Sequence, residues 1–318
     1  MKRFKHIDAV AGFLILFMVY THIAQLNFLQ GDMYLRLNRL VLFYMAWFFY
    51  KSGHFYRERS WNEEKKVLWS KFLVPFLMFS LLGTLVHSVH LFLTGDSSIA
   101  SHILVPLKDI LMFGSLEGNK PLWFLLTLIL VRILFKLTGT DKQVLIPGSI
   151  LSVVAAWLCH TYVSVPYYIG NTFLGFFFFS LGYLLKDWEE NKYLAYVAIL
   201  VYLAFVVYLP SIFDFRGNTS IFGHYFVFPI EAAAGIVALN NVAHRVCRHF
   251  TPRMLCFAGR QALLLYVCHW IIYGIVQIIW IDLLHYPAGT KCAFVMAGAF
   301  CLLFLVVLCT SMVRKKSI

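Results

Sequence analysis

The chain has 318 residues, of which 61% are hydrophobic and 13% charged, and its formal net charge is +12. A soluble domain of this length does not bury so much apolar sequence, which excludes an ordinary globular protein. The positive charge lies in short loops between apolar runs, so it reads as membrane orientation, and no nucleic-acid partner is expected.

Met1-Lys2-Arg3 before an apolar run imitates a secretory signal, but there is no clear small-residue cleavage site and further spans follow. The run therefore reads as a retained first helix. Apolar runs cover roughly 7–27, 39–54, 72–93, 121–137, 143–160, 167–185, 194–209, 222–243, 261–281 and 291–312. Their lengths and lack of strict alternation predict an all-α, polytopic transmembrane helical bundle of about ten spans. Residues 102–117, interrupted by Pro106, Lys108 and Asp109, read as a re-entrant or surface helix, with an eleventh span as the alternative. An even count puts both termini on one side, which then holds 21 of the 27 Lys and Arg residues. That imbalance predicts cytoplasmic termini. Residues 1–318 read as a single membrane-embedded domain with no soluble domain appended. The seven cysteines have neither a disulfide framework nor paired zinc-type spacing.

The first run carries Asp8, Ala11, His22 and Gln25 on one face at about 100° per residue. Asp8 and His22 lie roughly 21 Å apart along the axis. Polar groups in hydrocarbon cost about 2.5–3.5 kcal/mol, so they normally face a cavity or a partner.

The longest basic loop runs from Lys51 to Lys71 and includes Arg57 and Arg59. It reads either as an anchor for anionic headgroups or as a cradle for pyrophosphate oxygens. Glu231 falls near mid-span after Pro229, with His224 seven residues earlier on the same face. Glu231 is either a functional carboxyl or an interhelical hydrogen-bonding one. His269 reads as an interhelical hydrogen-bonding group. His87, His90, His102, His160, His224 and His285 fall near the ends opposite the basic loops and suggest a polar vestibule there. His87 and His90 share a face, but no third ligand accompanies them in sequence, and no metal is expected.

Six blocks then occur in order. They are Arg3-Phe4-Lys5-His6-Ile7-Asp8 with Gly12 and His22, Phe48-Phe49-Tyr50-Lys51-Ser52-Gly53-His54-Phe55, Lys71-Phe72-Leu73-Val74-Pro75-Phe76, Pro121-Leu122-Trp123-Phe124-Leu125, Leu181-Gly182-Tyr183-Leu184-Leu185, and Gly259-Arg260-Gln261-Ala262-Leu263 with Tyr266 and His269. Together they resemble integral-membrane acyltransferase family 3, in particular its sugar O-acetyltransferase, fucose 4-O-acetylase-like branch. One position departs: the family usually has a basic residue with ten residues between it and the histidine, and here that position is Ala11.

The resemblance implies a multi-pass protein of the bacterial cytoplasmic (inner) membrane. It would transfer an acetyl or other acyl group from cytoplasmic acyl-CoA to a hydroxyl of a cell-surface or exported glycan. Acetyl-CoA would be a donor substrate, with no permanently bound cofactor; a separate periplasmic or biosynthetic partner is left open. A sugar hydroxyl needs a general base, and an imidazole suits neutral pH. His22 is the expected base, with a covalent acyl-His22 as the alternative. Arg3, Asp8, Arg57 and Arg59 are expected at the donor mouth, and Trp123, Glu231, His224 and His269 as cavity lining. A lipid or glycan transporter (flippase) and a divergent, inactive family member carrying Ala11 are the competing readings.

Overall fold

The computed structural model describes residues 4–25, 40–95, 106–163, 166–187, 191–208 and 222–316. All regular structure among them is helical, as a backbone in hydrocarbon requires when no closed barrel forms. In chain order the helices are α1 (Lys5–Gln25), α2 (Tyr44–His54), α3 (Trp61–Leu68), α4 (Val74–Thr94), α5 (Pro106–Phe113), α6 (Trp123–Thr138), α7 (Lys142–Leu158), α8 (Tyr167–Leu184), α9 (Lys192–Tyr208), α10 (Phe222–His249), α11 (Arg253–Arg260), α12 (Ala262–Gln277) and α13 (Thr290–Lys316).

Each of the ten apolar runs coincides with one helix. Seven helical stretches are long and apolar enough to cross a membrane, while α8 and α9 are apolar but shorter. α2 has 11 residues. Among the described residues, the helix α5 within the interrupted segment covers eight residues, about 12 Å at 1.5 Å per residue.

The order of burial follows from packing. α1 sits centrally against α11, α10, α12 and α2, and 67% of its apolar window is buried, against 17% for the stretch containing α4 and 22% for α13. Leu81, Leu85 and Phe92 of α4 and Phe294 and Leu302 of α13 point outward. Outward apolar side chains on peripheral helices are what lipid contact demands.

Two helix crossings explain glycines in the six blocks. A Cβ on Gly12 would strike the Leu255 carbonyl, and one on Gly259 would strike the Asp8 carbonyl, so α1 and α11 cross backbone against backbone. In the same way a Cβ on Gly53 would meet Phe179 O and one on Gly182 would meet Tyr50 O, which seats α2 on α8. Small residues at such crossings let helices pack where no hydrophobic force drives them together. Blocks far apart in sequence are thus paired in space, and these pairings carry α1 and α12 to one another.

Candidate active site

His22 is on α1 and His269 on α12, and His269 Nε2 lies 2.9 Å from His22 Nδ1. The rings are 4.9 Å apart and nearly parallel, at 11°. His269 is fully buried. Its Nδ1 lies 2.5 Å from the Tyr266 carbonyl oxygen. A carbonyl only accepts, so Nδ1 of His269 carries the proton, and Nε2 of the neutral ring must accept. His22 therefore donates through Nδ1, and the basic lone pair of neutral His22 resides on Nε2. The hydrogen-bond network thus assigns both tautomers.

The surrounding contacts fix this pair. The Tyr266 hydroxyl donates to the Pro121 carbonyl, and the Tyr273 hydroxyl donates to Val19 O at 2.7 Å. Asn119 Nδ2 donates to Val267 O at 3.1 Å and to Phe79 O at 3.3 Å, joining α12 to α4. Trp270 meets the His22 ring edge-on, 5.7 Å away at 88°.

Toward the basic end lies a cavity of about 430 Å³ whose lining includes Ile15, Met18, Phe48, Phe124 and Tyr266 and the cations Lys51, Arg57, Arg59, Lys71 and Arg132. Such a volume suits a small molecule or part of a larger one. Met18 and Tyr266 lie about one helical turn before His22 and His269, roughly 6 and 4.5 Å along the two axes. The cavity therefore has a cationic mouth and an apolar inner wall that ends beside the histidines.

The basic loop is a built structure. Ser60 caps α3: its hydroxyl accepts from the Glu63 amide at 3.3 Å, and its own amide donates to Glu63 Oε2 at 3.0 Å, a reciprocal capping box. The next residue, Glu64, is fully buried and receives Arg132 Nε at 2.8 Å and Nη2 at 2.6 Å. Arg59 Nη1 lies 3.6 Å from Glu64 Oε2, and Lys136 Nζ donates to Arg59 O. Arg132 also lies over the Tyr56 and Phe72 rings, at 5.3 and 5.6 Å. Five cations thus line the cavity, with one carboxylate behind them, leaving an excess of positive charge for an anionic ligand.

Arg57 and Arg59 fall in this cavity, as does Lys51, whose ammonium is 5.6 Å from the Trp47 ring centre. Asp8 is not among the cavity lining, but it interacts electrostatically with Lys51. Ala11 is fully buried in the core, so the cavity draws its cations from α2, the loop and α6. Three residues expected as cavity lining, Trp123, Glu231 and His269, are not on the wall of this cavity. Phe124 lines the cavity and Trp123 does not; adjacent residues on α6 point about 100° apart, and Trp123 packs edge-on to Phe124 instead. Glu231 is buried on α10 and interacts with Tyr202 of α9, outside this cavity. His224 belongs to α10, but its side chain lies outside the described residues, as does Arg3. Arg132 and Glu64 were not singled out from sequence, and Lys71 was named only as a loop end and block residue, not as a site residue. The usable signal was Arg132, a charge two turns into a mostly apolar helix.

No curated protein and no solved structure matches the chain significantly. The family model described as an acyltransferase domain matches residues 4–313. That match spans nearly the whole helical bundle, and the chain belongs to acyltransferase family 3, a multi-pass membrane acyltransferase.

Proposed function

We propose that this protein is a membrane O-acyltransferase that moves an acetyl or other acyl group from acyl-CoA to a hydroxyl of a cell-surface or exported glycan, with His22 as general base. The carrying observation is the His22–His269 pair one turn beyond a cavity lined by five cations. The donor is a thioester on a polyanion, so its phosphates suit Arg57, Arg59 and Lys71, and its acyl end suits the apolar wall ending at Met18 and Tyr266. Five cations exceed the charge requirement of an acyl chain alone. They support a phosphate-bearing donor. The charge imbalance supports a ten-span arrangement with this end and both termini in the cytoplasm, and the family supports a bacterial inner membrane. The acceptor then approaches from the other end of α12.

In the reaction, His22 Nε2 takes the proton of the acceptor hydroxyl as its oxygen attacks the thioester carbonyl carbon. The tetrahedral oxyanion collapses, the C–S bond breaks, and the thiolate takes the proton back from imidazolium. An O-acyl ester and free CoA thiol result. His269 keeps His22 in the tautomer whose Nε2 is basic. Low dielectric around the pair strengthens each of these bonds.

The test is acetyl transfer from radiolabelled acetyl-CoA to a panel of glycans by the full chain in lipid, with His22→Ala as control. Label reaching a glycan in the wild type, and falling about 10²–10⁴-fold in the variant, is the expected result. Folded wild-type protein that transfers no label to any acceptor would overturn the reading in favour of a transporter or an inactive family member.

A further inference from the structure

A second cavity, of about 160 Å³, opens at the other end of α12, and its lining includes His87, His90, Glu117, Trp270, Tyr273 and Gln277. Along α12 its wall begins at Trp270, the residue after His269. The wide turn Ile278–Leu283 that ends this helix carries Asp282, whose side chain is 4% exposed and whose Oδ2 lies 2.6 Å from His90 Nδ1. The carboxylate holds the proton on His90 Nδ1, and the Gln277 amide nitrogen lies 3.5 Å from His90 Nε2. Lys120, also on the wall, pairs with Glu117.

From this geometry we infer that the 160 Å³ cavity is the acceptor subsite of the proposed transfer, and that it seats one neutral, hydroxylated six-membered ring. The inference rests on the acyltransfer reading. Four features argue it. A cavity of about 150 Å³ accommodates a single benzene, so this one has room for one ring and not two. Imidazole, amide, carboxylate and ammonium groups in one small space offer donors and acceptors to several hydroxyls. Lys120 is paired with Glu117, and a further buried carboxylate, Asp282, stands against His90, so the wall offers an anionic ligand no surplus positive charge. The Trp270 ring supplies a flat apolar face, and the same ring meets His22 edge-on. A ring stacked on Trp270 is separated from the proposed base by the thickness of one side chain. The contrast with the five-cation cavity makes the two ends chemically distinct, one for a polyanion and one for a neutral polyol.

The experiment measures binding without donor. The full chain in lipid nanodiscs is titrated calorimetrically with neutral methyl hexopyranosides and with the uronates of the same rings. At least one neutral hexoside binds saturably, and its uronate binds at least tenfold more weakly. His90→Leu and Gln277→Leu each weaken the hexoside at least tenfold, whereas Leu283→Ala, on the exposed surface of the same end, does not. Equal binding of the uronate, no saturable binding of any neutral pyranoside, or unchanged affinity in both folded variants overturns the assignment. The wild-type comparison of hexoside and uronate needs no variant to fold. Ring binding without label transfer keeps the subsite and sinks the acyltransfer reading. Label transfer with acceptor KM unchanged in both variants sinks the subsite alone.

Discussion

His22 Nδ1 and His269 Nε2 lie 2.9 Å apart although 247 residues separate them in the chain. The second ring is the fully buried one, and its proton is held by Tyr266 O at 2.5 Å. His269 therefore acts as a positioning residue for His22. Removing the acceptor nitrogen with His269→Leu frees His22 to change tautomer and rotate. A misplacement of about 1 Å costs about 10²-fold in rate, so kcat falls by about that factor while KM for the donor holds. His269→Gln restores an acceptor oxygen and recovers part of the loss. A kcat within twofold of wild type in His269→Leu would remove this role.

The cationic cavity predicts a donor defect with an ionic signature. Hydrogen bonds to charged groups contribute about 1.5–3 kcal/mol net, or roughly tenfold to 10²-fold in affinity. Arg57→Ala and Lys71→Ala should each raise KM for acyl-CoA by about tenfold or more and leave acceptor KM unchanged. Wild-type donor KM should rise with ionic strength, because exposed charges at the mouth are screened over about 10 Å at 0.1 M salt. Salt-independent KM in the wild type, with unaltered KM in both variants, would place the donor elsewhere.

The helices were legible because ten apolar runs each became one helix, and hydrocarbon tolerates little else. Gly12, Gly53, Gly182 and Gly259 were legible as members of the six blocks but not as crossings, because each crossing partner lies more than a hundred residues away. Trp123 was read as a cavity-lining residue, and on the wall of the cationic cavity its neighbour Phe124 stands instead, since one residue of helical phase decides which side chain faces a given cavity. Glu64 sits in the local charge run Glu63-Glu64-Lys65-Lys66. Its burial depends on Arg132, which is 68 residues distant, and no local pattern reports that. His269 was readable as an interhelical hydrogen-bonding group, while its partner required the packing of α1 on α12.

The Glu64–Arg132 pair makes a stability prediction. Removing one partner of a buried pair strands the other charge, typically at a cost of about 3–5 kcal/mol. Glu64→Ala should therefore lower the thermal midpoint in lipid sharply, while Glu63→Ala, at the exposed cap next door, should lower it much less. Replacing both members of the pair by leucine should recover a large part of the loss, because no stranded charge remains. The same double variant should still bind donor poorly, since Arg132 lines the cavity. Equal midpoints for Glu64→Ala and Glu63→Ala would show that Glu64 is not buried in the working protein.

The α1–α11 crossing makes a prediction at long range. Gly259 opposes Asp8 and Gly12, and Asp8 is roughly 21 Å along α1 from His22. A Cβ at position 259 meets backbone, which has no rotamer to change, so the two helices must separate. Overpacking of this kind costs about 1–3 kcal/mol. α11 leads through Gln261 directly into α12, so the displacement is carried toward His269, and α1 carries the other half of the histidine pair. Gly259→Ala should then reduce kcat several-fold with the protein still folded, although neither cavity nor histidine has been touched. Gly148→Ala is the matched control, because a Cβ there has nothing within 4 Å; it should keep kcat at the wild-type value and leave the midpoint unchanged or slightly raised, since Ala is favoured over Gly inside a helix. If Gly259→Ala lowers the midpoint but keeps full turnover, the crossing serves stability alone and the histidine pair is aligned by its own local hydrogen bonds through Tyr266 and Tyr273.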